Sequence, residues 1–157
     1  MSPTEQFLLQ RVQPAMIGLI DGSLSTLAPI FAIALHTHNT FDAFIAGVAT
    51  AIGAGISMAF SEGLSDTGEL TGRGHPFVRG TITGVGTFIG GILHTLPFLI
   101  PTYHVAIVAA IVVVAFELVA LAALRWRFFE TSFPRSFATV TIGGAVIAGV
   151  SAALGSV

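Results

Sequence analysis

The segment GISMAFSEGLSDTGEL, residues 55–70, closes an apolar run with three carboxylates and a thioether. These four side chains are spaced three or four residues apart, and they are Met58, Glu62, Asp66 and Glu69. At about 100° per residue in a helix, this spacing places all four on one narrow face. A thioether one turn from a carboxylate favours a borderline transition-metal ion over calcium or magnesium. We predict a metal-ligating stripe; the alternatives are a core-filling methionine and a solvated helix end.

Two more carboxylates fall inside long apolar runs. Asp21 stands in GLIDGSLSTLAP, and Glu117 stands in VVVAFELVALAALRWR. An ionised carboxylate in mid-bilayer costs about 2.5–3.5 kcal/mol, so such a residue has either a function or a compensating partner. We predict Asp21 as a metal ligand, with a hydrogen bond to Ser23, Ser25 or a neighbouring helix as the alternative. Glu117 is either a metal-pathway acid or a structural acid partnered by hydroxyl groups.

The composition is that of an integral membrane protein. Of the 157 residues, 54% are hydrophobic and 9% are charged, whereas soluble domains carry about a quarter charged residues. The absence of lysine and the net charge of -2 exclude a basic surface for nucleic acid. Without cysteine, a metal must be held by oxygen, imidazole or thioether ligands. No nucleophile–base pattern or phosphate loop is visible, so we expect neither an enzyme nor a prosthetic group.

Five apolar stretches are each long enough to cross a bilayer, which takes about 20 residues. We therefore expect an all-α integral membrane protein with five transmembrane helices in a single transporter domain. Turn and breaker residues separate the stretches. The stretches are roughly 14–35, 41–61, 77–100, 104–124 and 137–157.

The arginines predict the orientation, because positive charge marks short cytoplasmic loops. With five spans, every arginine falls on one side of the membrane. The N-terminus is therefore expected in the cytoplasm, the C-terminus outside, and residues 55–70 at the cytoplasmic end of the second span. The arginines are Arg11, Arg73, Arg79, Arg125, Arg127 and Arg135.

Small residues recur at the spacing that lets membrane helices approach closely. Because five short spans can hardly enclose a hydrated pathway alone, we also expect a homodimer with a shared central path. The pairs of small residues are Ala51 and Gly55, Gly80 and Gly84, Gly86 and Gly90, and Gly149 and Ala153.

Four histidines belong to the side opposite the arginines. They could form a metal exit site, or each could be a polar cap at the membrane interface. They are His36, His38, His94 and His104.

Several motifs carry a family resemblance. DGSLS and ISMAFSEGLS resemble the two acidic motifs of the vacuolar iron transporter family, and LPFLIP fits the same family. GRGHPFVRG and FELVALAALRWRFFETSFPRSF are closer still to the membrane half of bacterial membrane-bound ferritins, which are iron exporters. The resemblance runs over nearly the whole chain.

The resemblance implies a dimeric five-helix antiporter that moves Fe(II), and often Mn(II), out of the cytoplasm against protons. It implies pathway roles for Asp21, Met58 and Glu62 and a place in the bacterial inner membrane. The acidic collecting domain and the ferritin-like domain of relatives have no counterpart among these residues, and Ser61 replaces a motif glycine. Iron capture then depends on Glu62 with Asp66 and Glu69, or on a separate ferritin-like donor.

Two other functions compete with metal export. A small multidrug exporter exchanges protons for organic cations, but it needs aromatic residues around its acid. The only such polar aromatics, Trp126 and Tyr103, lie near the predicted interfaces. A non-transporting membrane anchor or regulatory subunit would have no need of an ionised Asp21.

Overall fold

Long apolar stretches form helices, and the turn and helix-breaking residues between them form the connections. The computed structural model describes residues 1–129 and 131–156, and this part of the chain contains helices and no strand. Four of its helices are long and apolar enough to cross a membrane, which confirms the prediction of an all-α membrane protein. These four are Pro3–Thr37, Thr40–Ser65, Tyr103–Phe128 and Phe133–Gly155.

Within residues 1–129 and 131–156 the bundle consists of seven α-helices, one π-helical turn and one 3-10 helix. The π-helical turn, Leu8–Val12, follows α1, and the 3-10 helix, Leu96–Leu99, follows α5. The α-helices are α1 (Pro3–Phe7), α2 (Gln13–Ser25), α3 (Leu27–Thr37), α4 (Thr40–Ser65), α5 (Pro76–Leu93), α6 (Tyr103–Phe128) and α7 (Phe133–Gly155).

The first membrane-spanning segment is longer than a bilayer requires. Pro3–Thr37 has 35 residues, which is about 52 Å of helix against a hydrocarbon core of about 30 Å. Its first ten residues are mostly exposed, and Thr26 interrupts it between α2 and α3. The N-terminal turns therefore extend beyond the apolar layer.

Helix α5 packs against both α2 and α4 through small residues. Gly22 of α2 lies directly against the backbone at Thr87, and Gly84 of α5 lies against Gly55 of α4. The predicted role of small residues is confirmed along α4 and α5. Gly149 of α7 differs, because it faces open space within the described part of the chain.

The third predicted stretch, residues 77–100, is not a single helix. Helix α5 ends at Leu93, and His94 is its C-cap, after which the chain turns into the 3-10 helix that contains Pro97. By length and composition, helix α5 is not one of the four helices that could span a membrane. Its glycines, threonines and buried Arg79 suit contact with protein rather than with lipid.

Candidate metal-binding site

A cluster of two carboxylates and two guanidinium groups lies where α4 ends and α5 begins. Glu62 Oε1 is 2.6 Å from Arg73 Nη2 and 2.6 Å from Arg79 Nε. Asp66 contacts the same two arginines at 3.2 Å and 3.3 Å. We call these four residues the arginine–carboxylate cluster; its formal charges cancel.

Arg79 is the buried centre of this cluster. Its side chain is 1% exposed. Its Nη2 donates to the main-chain carbonyls of Glu62 and Asp66, and to the hydroxyl of Ser65. A cation at the carboxyl end of a helix satisfies the last carbonyls and interacts well with the helix dipole. Arg79 therefore caps α4 as well as pairing with its acids.

The connection between α4 and α5, residues 66–75, folds back over the cluster. Asp66 accepts hydrogen bonds from the Gly68 amide and the Thr71 hydroxyl. Gln10, from the N-terminal turns, donates to the carbonyl of Gly72 at 3.0 Å. We call this segment the α4–α5 loop. The hydrogen bond from Gln10 connects it to the segment Pro3–Thr37, which also contains Asp21.

The environment of Asp66 favours its ionised form. Desolvation alone would raise its pKa, but hydrogen bonds from Thr71 and Gly68 and the charges of Arg79 and Arg73 lower the pKa below its ordinary value. Asp66 is therefore an anion at neutral pH and remains available for ion pairing.

The predicted helical stripe is wrong for two of its members. Helix α4 ends at Ser65, and Asp66 is its extended C-cap, so Asp66 and Glu69 do not continue the face of Met58 and Glu62. The turn formed by Asp66 and Gly68 stops the helix at this point. Glu69 is exposed in the α4–α5 loop. Glu62 is buried and Met58 is half-buried, one turn apart on α4.

Met58 and Glu62 lie at successive levels beside the first half of α5. Glu62 contacts Arg79, in the first turn of α5. One turn earlier on α4, Ala59 packs against Gly84. Met58, the neighbour of Ala59, is therefore further from the α4–α5 loop than Glu62, although it is less buried.

Asp21, on α2, is level with a later part of α5. Its neighbour Gly22 packs on Thr87, which follows Arg79 by eight residues of α5. Eight residues of α-helix rise about 12 Å. Because metal–ligand distances are about 2.0–2.6 Å, Asp21 and the arginine–carboxylate cluster cannot share one ion. Any ion held by both would have to move between them.

The Asp21 carboxylate has no partner within the part of the chain that the structure describes. The side chain is half-buried on α2, and no hydrogen bond or ion pair to it is found among residues 1–129 and 131–156. The nearby hydroxyl of Thr26 donates instead to the Gly22 carbonyl at 2.8 Å. The alternative of an aspartate hydrogen-bonded to a serine is therefore not observed.

Glu117 is held by a histidine. His94 Nδ1 lies 2.9 Å from Glu117 Oε2, and His94 Nε2 lies 2.7 Å from Thr26 Oγ1. His94 is fully buried and Glu117 is 5% exposed. We call these three residues the buried triad. Glu117 thus has a structural partner, which is an imidazole and not the predicted hydroxyl, and His94 is not an interfacial cap.

The other three histidines of the predicted exit site lie at the surface. His36, His38 and His104 are exposed, and the His38 ring lies 4.9 Å from the ring of Tyr103. In the described part of the chain, no group of three histidine, aspartate or glutamate side chains is arranged to hold a metal ion. The structure therefore places the candidate ligands singly or in pairs.

Sequence reasoning missed the two arginines of the cluster. Arg73 and Arg79 were interpreted only as markers of the cytoplasmic side, and Arg79 lies within α5 and not in the loop before it. The available signal was charge complementarity, since the two acids at the end of α4 stand within 20 residues of two arginines, one in the following loop and one in the first turn of α5.

Comparisons with known proteins add no relative. No protein-family model matches the chain, and neither the curated proteins nor the solved structures contain a match. The family resemblance therefore rests on the motifs of this sequence.

Proposed function

We propose that the protein exports a divalent transition-metal ion, Fe(II) first and Mn(II) second, from the bacterial cytoplasm in exchange for protons. In this proposal Glu62 and Asp66, with Glu69 nearby, receive the ion at the cytoplasmic mouth. Met58 and Asp21 bind it deeper in the membrane. Protonation of Asp21 or Glu62 then releases it, because a protonated carboxyl loses most of its hold on a cation.

The single observation that carries the proposal is the unpartnered carboxylate of Asp21. It lies in a helix that is long and apolar enough to span a membrane, yet no described side chain compensates it. Carboxylates in such helices mark ion pathways and proton relays. A purely structural acid would have a partner of the kind that His94 provides for Glu117.

The positions of the candidate ligands along α5 support the direction of travel. Glu62 is level with the first turn of α5, Met58 follows, and Asp21 lies about 12 Å beyond Arg79. A carboxylate, then a thioether, then a second carboxylate suit a borderline metal ion more than calcium or magnesium. This order fits binding at the mouth followed by transfer inward.

The complete transporter is proposed to be a homodimer of chains with five membrane passes each, with α5 as the third. The arginine pattern then gives a cytoplasmic N-terminus and an external C-terminus. A second copy facing α2 and α4 would supply further ligands for an ion at Asp21, which has too few among the described residues of one chain.

Transport of organic cations is less well supported. Such a site needs aromatic faces around its acid. Trp126 lies in the last turn of α6 and contacts Phe133, while Tyr103 begins α6 and contacts His38. The two aromatics therefore lie at opposite ends of α6, and their ring contacts do not involve Asp21.

The proposal is tested by reconstituting the purified protein in proteoliposomes. Uptake of Fe(II), Mn(II), Zn(II) and an organic cation is measured together with the pH of the lumen. We expect uptake of Fe(II) and Mn(II) accompanied by proton movement in the opposite direction. Metal movement without proton movement would remove the exchange mechanism, and uptake of the organic cation alone would replace metal export as the function.

A further inference from the structure

We propose that Arg73 is a tethered cation that closes the cytoplasmic mouth and that an entering metal ion displaces. This inference rests on the proposed function and adds a regulatory element to it. Arg73 would occupy the same carboxylate oxygens that the metal needs. Arg79, by contrast, would remain in place as part of the helix end.

The two arginines differ in what holds them. The Arg79 side chain is 1% exposed and donates to main-chain carbonyls, so its removal would uncap α4. The Arg73 side chain is 21% exposed, and within the described residues its guanidinium donates only to Glu62 and Asp66. Its Nε is buried without a hydrogen-bond partner. Arg73 can therefore leave without breaking main-chain contacts.

The backbone around Arg73 is suited to movement. Gly72 and Gly74 flank it, with φ angles of 67° and 79°. Glycine reaches such left-handed conformations readily and also leaves them readily. Among the described residues, Gly72 is held by hydrogen bonds from Gln10 to its carbonyl and from its amide to the Gly68 carbonyl, and Arg73 lies just after it. A short hinged segment thus carries the guanidinium.

Charge explains why departure of Arg73 would prepare the mouth for metal. With both arginines present, the two carboxylates are neutralised. Without Arg73, the cluster has a net charge of -1: Asp66 Oδ2 loses its guanidinium partner, and Glu62 Oε1 keeps only its contact with Arg79 Nε. The freed oxygen of Asp66 and the net negative charge of the cluster attract a divalent cation, and the cation excludes the guanidinium in turn.

Loop mobility tests the closure without any metal. The chain has no cysteine, so Leu70→Cys, at a fully exposed position of the α4–α5 loop, gives a single site for a nitroxide label. In metal-free detergent solution we expect Arg73→Gln to increase label mobility and Arg73→Lys to increase it less. Arg135→Gln, an exposed arginine at the start of α7, is the control and should change nothing. Equal mobility in wild type and Arg73→Gln would overturn the proposal.

Metal affinity tests the competition. Free Mn(II) is followed by its electron paramagnetic resonance signal as it is titrated into detergent-solubilised protein. We expect Arg73→Gln to bind Mn(II) about fivefold more tightly than wild type, which is the effect of removing a partly exposed competing ion pair. Adding Glu62→Gln should abolish this gain.

The outcomes separate the two proposals. If wild type binds Mn(II) and Arg73→Gln binds it equally or more weakly, the displacement of Arg73 is refuted while metal export stands. If neither protein binds Mn(II) at millimolar concentrations, the arginine–carboxylate cluster is not a metal mouth and the displacement is refuted with it. The transport of metal through Asp21 is judged separately by the proteoliposome assay.

Discussion

Arg79 Nε and Glu62 Oε1 lie 2.6 Å apart at the start of α5, and the arginine of this pair is 1% exposed. Glu62, a predicted ligand of the cytoplasmic mouth, is thus already paired with a guanidinium group that is buried from water. A metal ion that reaches Glu62 would meet it beside a fixed positive charge. This arrangement separates the structural part of the cluster, Arg79, from the exchangeable part, Arg73.

Arg79→Gln should destabilise the protein far more than Arg73→Gln. Removing one member of a buried ion pair costs about 3–5 kcal/mol, because the other charge stays buried without a partner. A partly exposed pair is worth about 1 kcal/mol or less. Thermal unfolding in detergent, followed by circular dichroism, measures both. Equal losses for the two variants would show that the arginines have equivalent roles.

The contribution of Asp66 to stability should depend on pH in the acid range only. Because its pKa is lowered in the folded protein, the stabilisation is fully present above the ordinary value of 3.8 and is lost as the pH falls through the lower folded value. We expect the difference in Tm between wild type and Asp66→Asn to be constant from about pH 8 to pH 5. The difference should shrink below pH 3.8. A difference that already falls near pH 6 would contradict the assignment.

Gly22→Ala should disrupt the contact between α2 and α5. An added Cβ would collide with the backbone carbonyl of Thr87, which cannot move as a side chain can. Overpacking of this kind costs about 1–3 kcal/mol or more. Gly53→Ala on α4 is the matched control, because a Cβ there meets no described atom within 4 Å.

We expect Gly53→Ala to leave thermal stability unchanged or to raise it by up to about 1 kcal/mol through helix propensity. Thermal unfolding of both variants under the same conditions makes the comparison. Equal stability of Gly22→Ala and wild type would show that α2 and α5 can separate without cost.

His94 and Glu117 should behave as one unit. His94→Leu leaves a buried carboxylate without its only hydrogen-bond partner, since Glu117 Oε1 already has none among the described residues. The loss should be about 3–5 kcal/mol. The double variant with Glu117→Leu should lose less than the sum of the single losses. Additive losses in the double-mutant cycle would mean that the pair does not interact.

Much of the fold is predictable from local patterns. The lengths of the apolar stretches and the arginines in the connections between them predict the helices. Small residues four positions apart predict the close contact of α4 with α5. The break at His94 was missed because the residues after it, with Pro97 among them, are as apolar as a helix interior. A hydropathy pattern contains no information on where an apolar chain turns.

The candidate site was less predictable, since its key contacts join residues far apart in sequence. Asp66 belongs to the periodic pattern of α4, but its own hydrogen bonds to the following loop end the helix. The pairing of His94 with Glu117 depends on how α5 and α6 meet. Neither result follows from spacing along one helix.

The central claim is that the ionised carboxylate of Asp21 binds the transported metal. Asp21→Asn keeps the size of the side chain and removes its charge, and Asp42→Asn makes the same change at an exposed position in the first turn of α4. Removing an interaction with an ionised ligand should lower the rate of Mn(II) uptake at least about tenfold.

The most direct measurement is therefore the initial rate of Mn(II) uptake into proteoliposomes containing equal amounts of folded wild type, Asp21→Asn and Asp42→Asn. We predict that the wild type and Asp42→Asn transport at the same rate and that Asp21→Asn loses nearly all uptake. Uptake by Asp21→Asn at the wild-type rate would contradict the claim.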